Sequence, residues 1–398
     1  MQPTFKLNMK NKLFKPYQIG NFTLKNRFVF SAINLNLSEK GQVCQADLDF
    51  FSARAHSAPM TITGGVYVCK SGSLFKYGHS IENDSDIEGL AKLAKAIKSK
   101  GSIAILQLIH AGSHSVSKIE KDGFCYGPSA EKRNYPIKYK VFRLTQKQIQ
   151  KIVSQYADAC LRAIKAGFDG VEISSAQKLL PQEFFSHYTN KRNDKYGCQN
   201  IQNRSRFLVE ILEKVQKTIL KSKNPNFLLG YRATPEERRG DNLGYTVENF
   251  LDFLDLIEKR GIKISYLAIA GWGFDVFRDK VRSKSNNFNR LISDVVYEKL
   301  QGKIPVIASG SINSLEKSVE AIQFSDFVGI SSAFVPDPDF VEKIEKNQPI
   351  KLSLEPEDFE KLKISKSAFK EIGHYFEYGK SLPENARKTI LTNSKKME

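Results

Sequence analysis

Several residues of this sequence combine a reactive side chain with a position where a fold would have to use it. Arg232 ends the apolar run FLLGYR, and a guanidinium carried into a buried layer must be paired or must face a ligand. Its plain structural reading is a salt bridge to a neighbouring loop carboxylate. Gln107, in ILQLIH, offers donors and an acceptor on one short amide. Its plain reading is a core amide satisfied by backbone. The pairs Gly310-Ser311 in ASGSINS and Ser331-Ser332 in ISSAF join backbone N–H groups to small hydroxyls, a combination that suits a phosphate. Ser174 and Gln177, in EISSAQK, can donate hydrogen bonds to an oxygen. His110 suits the mouth of a site and a structural role equally well.

These residues need a frame, and the hydrophobic pattern supplies one. Short apolar, β-branched runs recur at Phe28–Ala32, Met60–Gly64, Ile103–Leu108, Gly170–Ile173, Phe227–Arg232, Tyr266–Ala270, Pro305–Ser309 and Phe327–Ile330. Amphipathic helical patterns follow them near 46–57, 86–99, 145–166, 203–222, 247–261, 290–300, 314–323 and 338–346. Thr145, Asn203 and Thr246 read as N-caps. Strands alternating with helices imply parallel pairing, and eight such units close into an α/β (β/α)8 TIM barrel. A doubly wound sheet would carry a G-x-G-x-x-G turn after its first strand, where this chain has INLNLSEKGQ.

In such a barrel the site lies at the C-terminal ends of the strands. That rule selects Ala32–Asn34, Gly64–Gly65, Gln107–His110, Ser174–Gln177, Arg232, Gly271–Gly273, Gly310–Ser311 and Ser331–Ser332. Phosphate recognition is expected after the seventh and eighth strands, where the two small-residue pairs stand. Residues 1–27 read as a short hairpin capping the barrel bottom, and residues 109–144 as a long loop over the mouth. The barrel is expected over 1–350 and a C-terminal helical extension over 351–398.

Composition narrows the function classes. The net charge of +18 rests mainly on lysines spread along helices and loops, which reads as a solvated surface rather than a nucleic-acid site. That surface could still attract anionic substrates or acidic partners. Cys44, Cys69, Cys125, Cys160 and Cys198 are odd in number and never in C-x-x-C spacing, so neither a disulfide framework nor a metal site is expected. No apolar run approaches the roughly 18 residues of a membrane span. The N-terminus lacks the pattern of a signal peptide, which points to the cytoplasm.

Over residues 13–346 the sequence resembles the Old Yellow Enzyme family of NAD(P)H-dependent flavin oxidoreductases. LFKPYQIGNFTLKNRFVFSAI is similar to its opening hairpin and first strand, ARAHSAPMTITGG to its second unit and IAILQLIHAG to its third. The most specific stretch, from AGFDGVEISSAQKLL to NRSRFLVEIL, carries E-F-x-S, N-x-R-x-D-x-Y-G and N-R-x-R-F in the family's order. GKIPVIASGSI and SDFVGISSAFVPDPDF resemble its last two strands. The resemblance implies FMN bound at the barrel mouth, with NADH or NADPH as reductant. It would set Ala32 and Ile33 against the isoalloxazine and Asn34 where the family places a Thr or Cys near O4 and N5. Gly65 would pass close to the ring. Gln107 and Arg232 would hold its polar edge, Arg232 stabilising the anionic reduced ring, and Gly310 and Ser311 would cradle the phosphate.

The departures concern the substrate. Where the family usually reads E-I-H-x-A-H-G-Y-L, this chain reads Glu172-Ile173-Ser174-Ser175-Ala176-Gln177-Lys178-Leu179-Leu180. Ser174 and Gln177 replace the pair that binds the substrate oxygen, and neither can become cationic. Leu179 replaces a proton-donating Tyr. Ser332 stands where the family pairs an Arg with the phosphate, which predicts weaker FMN retention; Ala32 replaces a common Pro. One reading is an FMN oxidoreductase passing electrons to an altered acceptor: an unusual alkene, a quinone, dioxygen or a group carried on a partner protein. The alternative is a flavin-binding barrel without turnover, acting through partner contacts of residues 351–398. Assembly into a homo-oligomer is compatible with both.

Overall fold

The computed structural model describes residues 3–395 except 36, 39–40, 135–136, 272–274, 366–367, 370–371, 373–375 and 377–378, and the side chains from residue 7 onward. Gly273 and part of the expected C-terminal helical stretch therefore lie outside the described residues. Eight parallel strands close on themselves: β1 (Phe28–Phe30), β2 (Met60–Ile62), β3 (Ile103–Ile109), β4 (Gly170–Ser175), β5 (Leu228–Ala233), β6 (Tyr266–Ile269), β7 (Val306–Ser309) and β8 (Phe327–Ile330). The circle is complete because β8 pairs with β1 and β3 with β4. Their unbroken apolar runs reflect strands buried on both faces, inside by one another and outside by helices. The helices are α1 (Gln45–Arg54), α2 (Ile87–Lys98), α3 (Gln146–Lys165), α4 (Ile201–Lys221), α5 (Val247–Lys259), α6 (Ile292–Leu300), α7 (Leu315–Ala321) and α8 (Phe340–Glu345).

Thr145 and Thr246 cap α3 and α5 as their positions imply. The cap of α4 is Asn200, not Asn203. Its side chain accepts from the Asn203 N–H at 2.8 Å, so the helix begins one turn earlier than its hydrophobic pattern suggests. Before the hairpin Tyr17–Ile19/Phe22–Leu24 the chain also forms a helix, Pro3–Phe14, whose apolar residues share no single face. The hairpin is the expected bottom plug. Ile19 and Leu24 belong to the same buried cluster as the inward residues Val29, Ile62, Ile105 and Phe327.

Over the mouth, the 109–144 segment is built rather than loose: Tyr139–Arg143 pairs with both Phe124–Gly127 and Glu131–Arg133. The N-x-R-x-D-x-Y-G stretch ties this cover down. Asn190 donates to the carbonyls of Phe184 and Tyr196, both at 2.7 Å. Arg192 reaches the carbonyls of Pro128 at 3.0 Å and Leu144 at 2.6 Å. It also grips Asp194, holding that carboxylate well below its usual range. This motif is scaffold for the rim.

Residues of the C-terminal extension, among them Leu354, Phe359, Leu382 and Ile390, share the main buried cluster with the barrel. Arg54 fastens them. Fully buried, it stacks on Phe50 and donates to the carbonyls of Phe334 (3.0 Å), Val335 (2.6 Å) and Leu362 (2.9 Å). No carboxylate pairs with it among the described residues, so backbone carbonyls and the Phe50 ring compensate the charge. No helix of the described residues is long and apolar enough to cross a membrane. Arg54→Met strands three buried carbonyls and is expected to destabilise the chain by at least about 3 kcal/mol. Guanidinium-induced unfolding measures this, and an unchanged midpoint would contradict the role.

Candidate active site

Alternation along β3, β4 and β5 sends Ile103, Ile105 and Gln107, then Glu172 and Ser174, then Leu228 and Arg232, to the inside of the barrel. The lower layers are apolar. The upper layer is polar and bonded within itself. Arg232 Nε donates to Glu172 Oε1 at 2.6 Å and its Nη2 to Oε2 at 3.4 Å. Gln107 Nε2 donates to the same Oε1 at 2.7 Å. All three residues are buried, Glu172 completely. The partner of Arg232 is therefore a carboxylate on the adjacent strand, not one in a loop, and the Gln107 amide is satisfied by that carboxylate rather than by backbone.

This pairing leaves two groups uncommitted. Gln107 Oε1 and Arg232 Nη1 take part in none of the described hydrogen bonds. Together they present an acceptor and a cationic donor side by side at the barrel mouth. Beneath them Tyr266 fills space that a side chain on Gly230 would need. Burial, and next the charge of Glu172, hold its phenol well above its usual pKa, so it stays protonated. Glu172 was not singled out from sequence. Its signal was the inward parity it shares with Ser174, one strand over from both Gln107 and Arg232.

The other expected residues spread around this layer. Ser174 is buried, in register with Arg232. Gln177 is exposed at φ +55°, followed by Lys178 at φ +64°. Leu179 is buried with Tyr67 and Ile109 in an apolar patch. Asn34 and the Ile33 carbonyl press on Gly64, Gly65 is backed by Ile109, and Ala32 packs on the barrel interior cluster. The His110 Nδ1 accepts from the Gly112 N–H at 3.0 Å, its buried Nε2 has no partner among the described residues, and burial holds its pKa near 3, hence neutral.

At the ends of β7 and β8, Gly310 (φ +113°) and Ser311 (φ +53°) turn in succession, and a Cβ at 310 would come within 2.6 Å of Val276. The backbone N–H groups of Gly310, Ser311 and Ile312 donate in none of the described hydrogen bonds. Ser332 lies close by, since both it and Asn313 are bonded to Ser381. Next to this cradle opens a cavity of about 590 Å³ lined by Lys178, Gln182, Arg239, Gly271, Val276 and Lys380, among others. Its rim is basic. Burial, then Arg239 and Arg133, lower the pKa of Lys178.

Residues 12–351 match the model of the NADH:flavin oxidoreductase / NADH oxidase family. An uncharacterized oxidoreductase of Streptococcus pyogenes serotype M5 is 45% identical over 94% of this chain and 95% of its own length. A probable NADH-dependent flavin oxidoreductase of Bacillus subtilis is 30% identical over 86% of this chain and 90% of its own. An Old Yellow Enzyme homologue from Zymomonas mobilis shares the fold at TM-score 0.72 and 23% identity, over 86% of this chain and 94% of that one.

One carboxyl of the rim carries a pH signature. Glu183 is buried, accepts from the Ser113 N–H at 3.0 Å and from the Ser113 hydroxyl, and lies 3.5 Å from His114. Burial pushes its pKa from 4.5 to about 7. A carboxyl whose folded pKa is raised binds its proton more tightly in the folded state. Its contribution is therefore complete below about pH 4.5 and is lost as pH rises through about 7. Across that window stability is expected to fall by something on the order of 3 kcal/mol. Glu183→Gln should flatten the profile; denaturation midpoints that track the wild type at every pH would contradict this.

Proposed function

The chain belongs to the NADH:flavin oxidoreductase / NADH oxidase family, and from that premise we propose that it passes electrons from NAD(P)H to a small-molecule acceptor reduced without an acid at position 179. It is an NAD(P)H-dependent flavin oxidoreductase, and its cofactor is FMN. The residues fit that group. The free acceptor and cationic donor of Gln107 and Arg232 match the alternating N–H and carbonyl groups of a flavin pyrimidine edge, and the unused N–H groups at 310–312 match its phosphate.

When bound, FMN would supply the redox chemistry between the nicotinamide and the acceptor. The chain supplies position and charge. Glu172 holds Arg232 and Gln107 so that a guanidinium N–H donor stands ready where negative charge would collect on reduction. Ala32, Ile33, Asn34 and Gly65 line the ring's other borders. Gly310, Ser311, Ser331 and Ser332 hold the phosphate end. Ser174 reaches toward the acceptor's oxygen from the inward face and Gln177 from the rim, both as neutral hydrogen-bond donors. Leu179, packed with Tyr67 and Ile109, helps exclude water and itself moves no proton.

The observation that carries the reading is the contrast between an intact polar layer at Glu172, Gln107 and Arg232 and an apolar leucine at position 179. Protein loaded with FMN, desalted and mixed anaerobically with NADH should keep its flavin bands and lose them on reduction. Retained bands that do not bleach would support flavin binding without turnover instead. Enone reduction should start low, and Ser174→His with Gln177→His and Leu179→Tyr should raise it about a hundredfold. No gain from the combined variant would sink the acceptor half of the reading.

A further inference from the structure

A phosphate monoester brings close to two negative charges, and the cradle at the ends of β7 and β8 offers it unused backbone N–H groups but no cation of its own. Ser311, Ser331 and Ser332 are neutral. Lys317, whose ammonium donates to the Ser311 carbonyl at 3.1 Å, is already neutralised by Asp275 at 2.6 Å. Arg278 is spent on Asp275 and Glu320.

The C-terminal extension returns to this place. Ser311 Oγ donates to the Lys380 carbonyl at 3.3 Å, Asn313 Nδ2 to the Ser381 carbonyl at 3.3 Å, and Ser332 Oγ bonds Ser381 Oγ at 2.7 Å. Three hydrogen bonds thus seat residues 380–381 on both cradle loops. The first joins two non-glycine residues in the left-handed region, Ser311 at φ +53° and Lys380 at φ +47°, a conformation kept only where surroundings impose it. Lys380 also lines the cavity beside the cradle, and its ammonium forms no ion pair among the described residues.

We propose that Lys380 is the cation of the FMN phosphate site, with residues 380–382 forming a third wall beside Gly310-Ser311 and Ser331-Ser332. The proposal rests on the reading that these two pairs hold the phosphate. A flexible four-carbon stem on a pinned backbone lets the ammonium reach the phosphate as a point charge. The extension thereby serves the cofactor, and its anchoring by Arg54 and by the core cluster keeps that wall in place.

Riboflavin, which has the same ring and no phosphate, separates the terms. The full-length apoprotein is titrated with FMN and with riboflavin, followed by flavin fluorescence, for wild type, Lys380→Ala and Lys380→Arg. Because Lys380 is exposed, its substitution leaves the packing intact. Lys380→Ala should weaken FMN about 10- to 100-fold, leave riboflavin unchanged, and lose most of the salt sensitivity of FMN binding. Lys380→Arg should restore most of the affinity. An undiminished preference for FMN in Lys380→Ala, equal losses for both flavins, or a loss confined to Lys317→Ala would overturn the proposal. If wild type itself binds FMN no better than riboflavin, the phosphate cradle fails first.

Discussion

Glu172 sits at the centre of the barrel with no exposure to solvent, and a carboxylate there is tolerable only because two neighbours bond it. Arg232 and Gln107 both donate to its Oε1, so one buried acceptor orients a cation from β5 and an amide from β3 at once. Removing either side of such a pair leaves an uncompensated charge, typically costing about 3–5 kcal/mol. The arrangement is therefore rigid, and rigidity is what a cofactor edge needs. Because Glu172 takes the amide nitrogen and the guanidinium Nε, the amide oxygen and one terminal nitrogen are left for a ligand. The lower layers of the barrel, the hairpin plug and the Tyr266 phenol all support that one plane.

The two halves of the mouth have been shaped by different demands. The cofactor side keeps charge, hydrogen bonds and unused backbone N–H groups. On the side proposed for the acceptor stand a neutral serine, an exposed glutamine and a leucine packed on Tyr67 and Ile109. Neutral donors can orient an oxygen, but they cannot match the electrostatic pull of an imidazolium.

Much of the barrel was legible because parallel strands buried on both faces write themselves as short apolar runs. Gln107, Arg232 and the two small-residue pairs followed from the rule that function sits at strand ends. Glu172 escaped because a glutamate in a strand reads as one polar position until parity and register place it between two partners. Asn200 escaped because two asparagines compete for one cap, and the bond to the Asn203 N–H decides only in three dimensions. The Pro3–Phe14 helix escaped because its apolar residues form no stripe. Lys380 and Ser381 lie 69 and 49 residues from the partners they bond, Ser311 and Ser332, and no local pattern encodes that meeting.

The most direct test of the account is a crystal structure of the protein with FMN bound. The pyrimidine edge should lie within about 3 Å of Gln107 Oε1 and Arg232 Nη1. Both side chains should still be bonded to Glu172. A ring seated elsewhere on the barrel mouth, or an Arg232 that has abandoned Glu172 to reach it, would contradict the claim that this buried layer is the preformed cofactor edge.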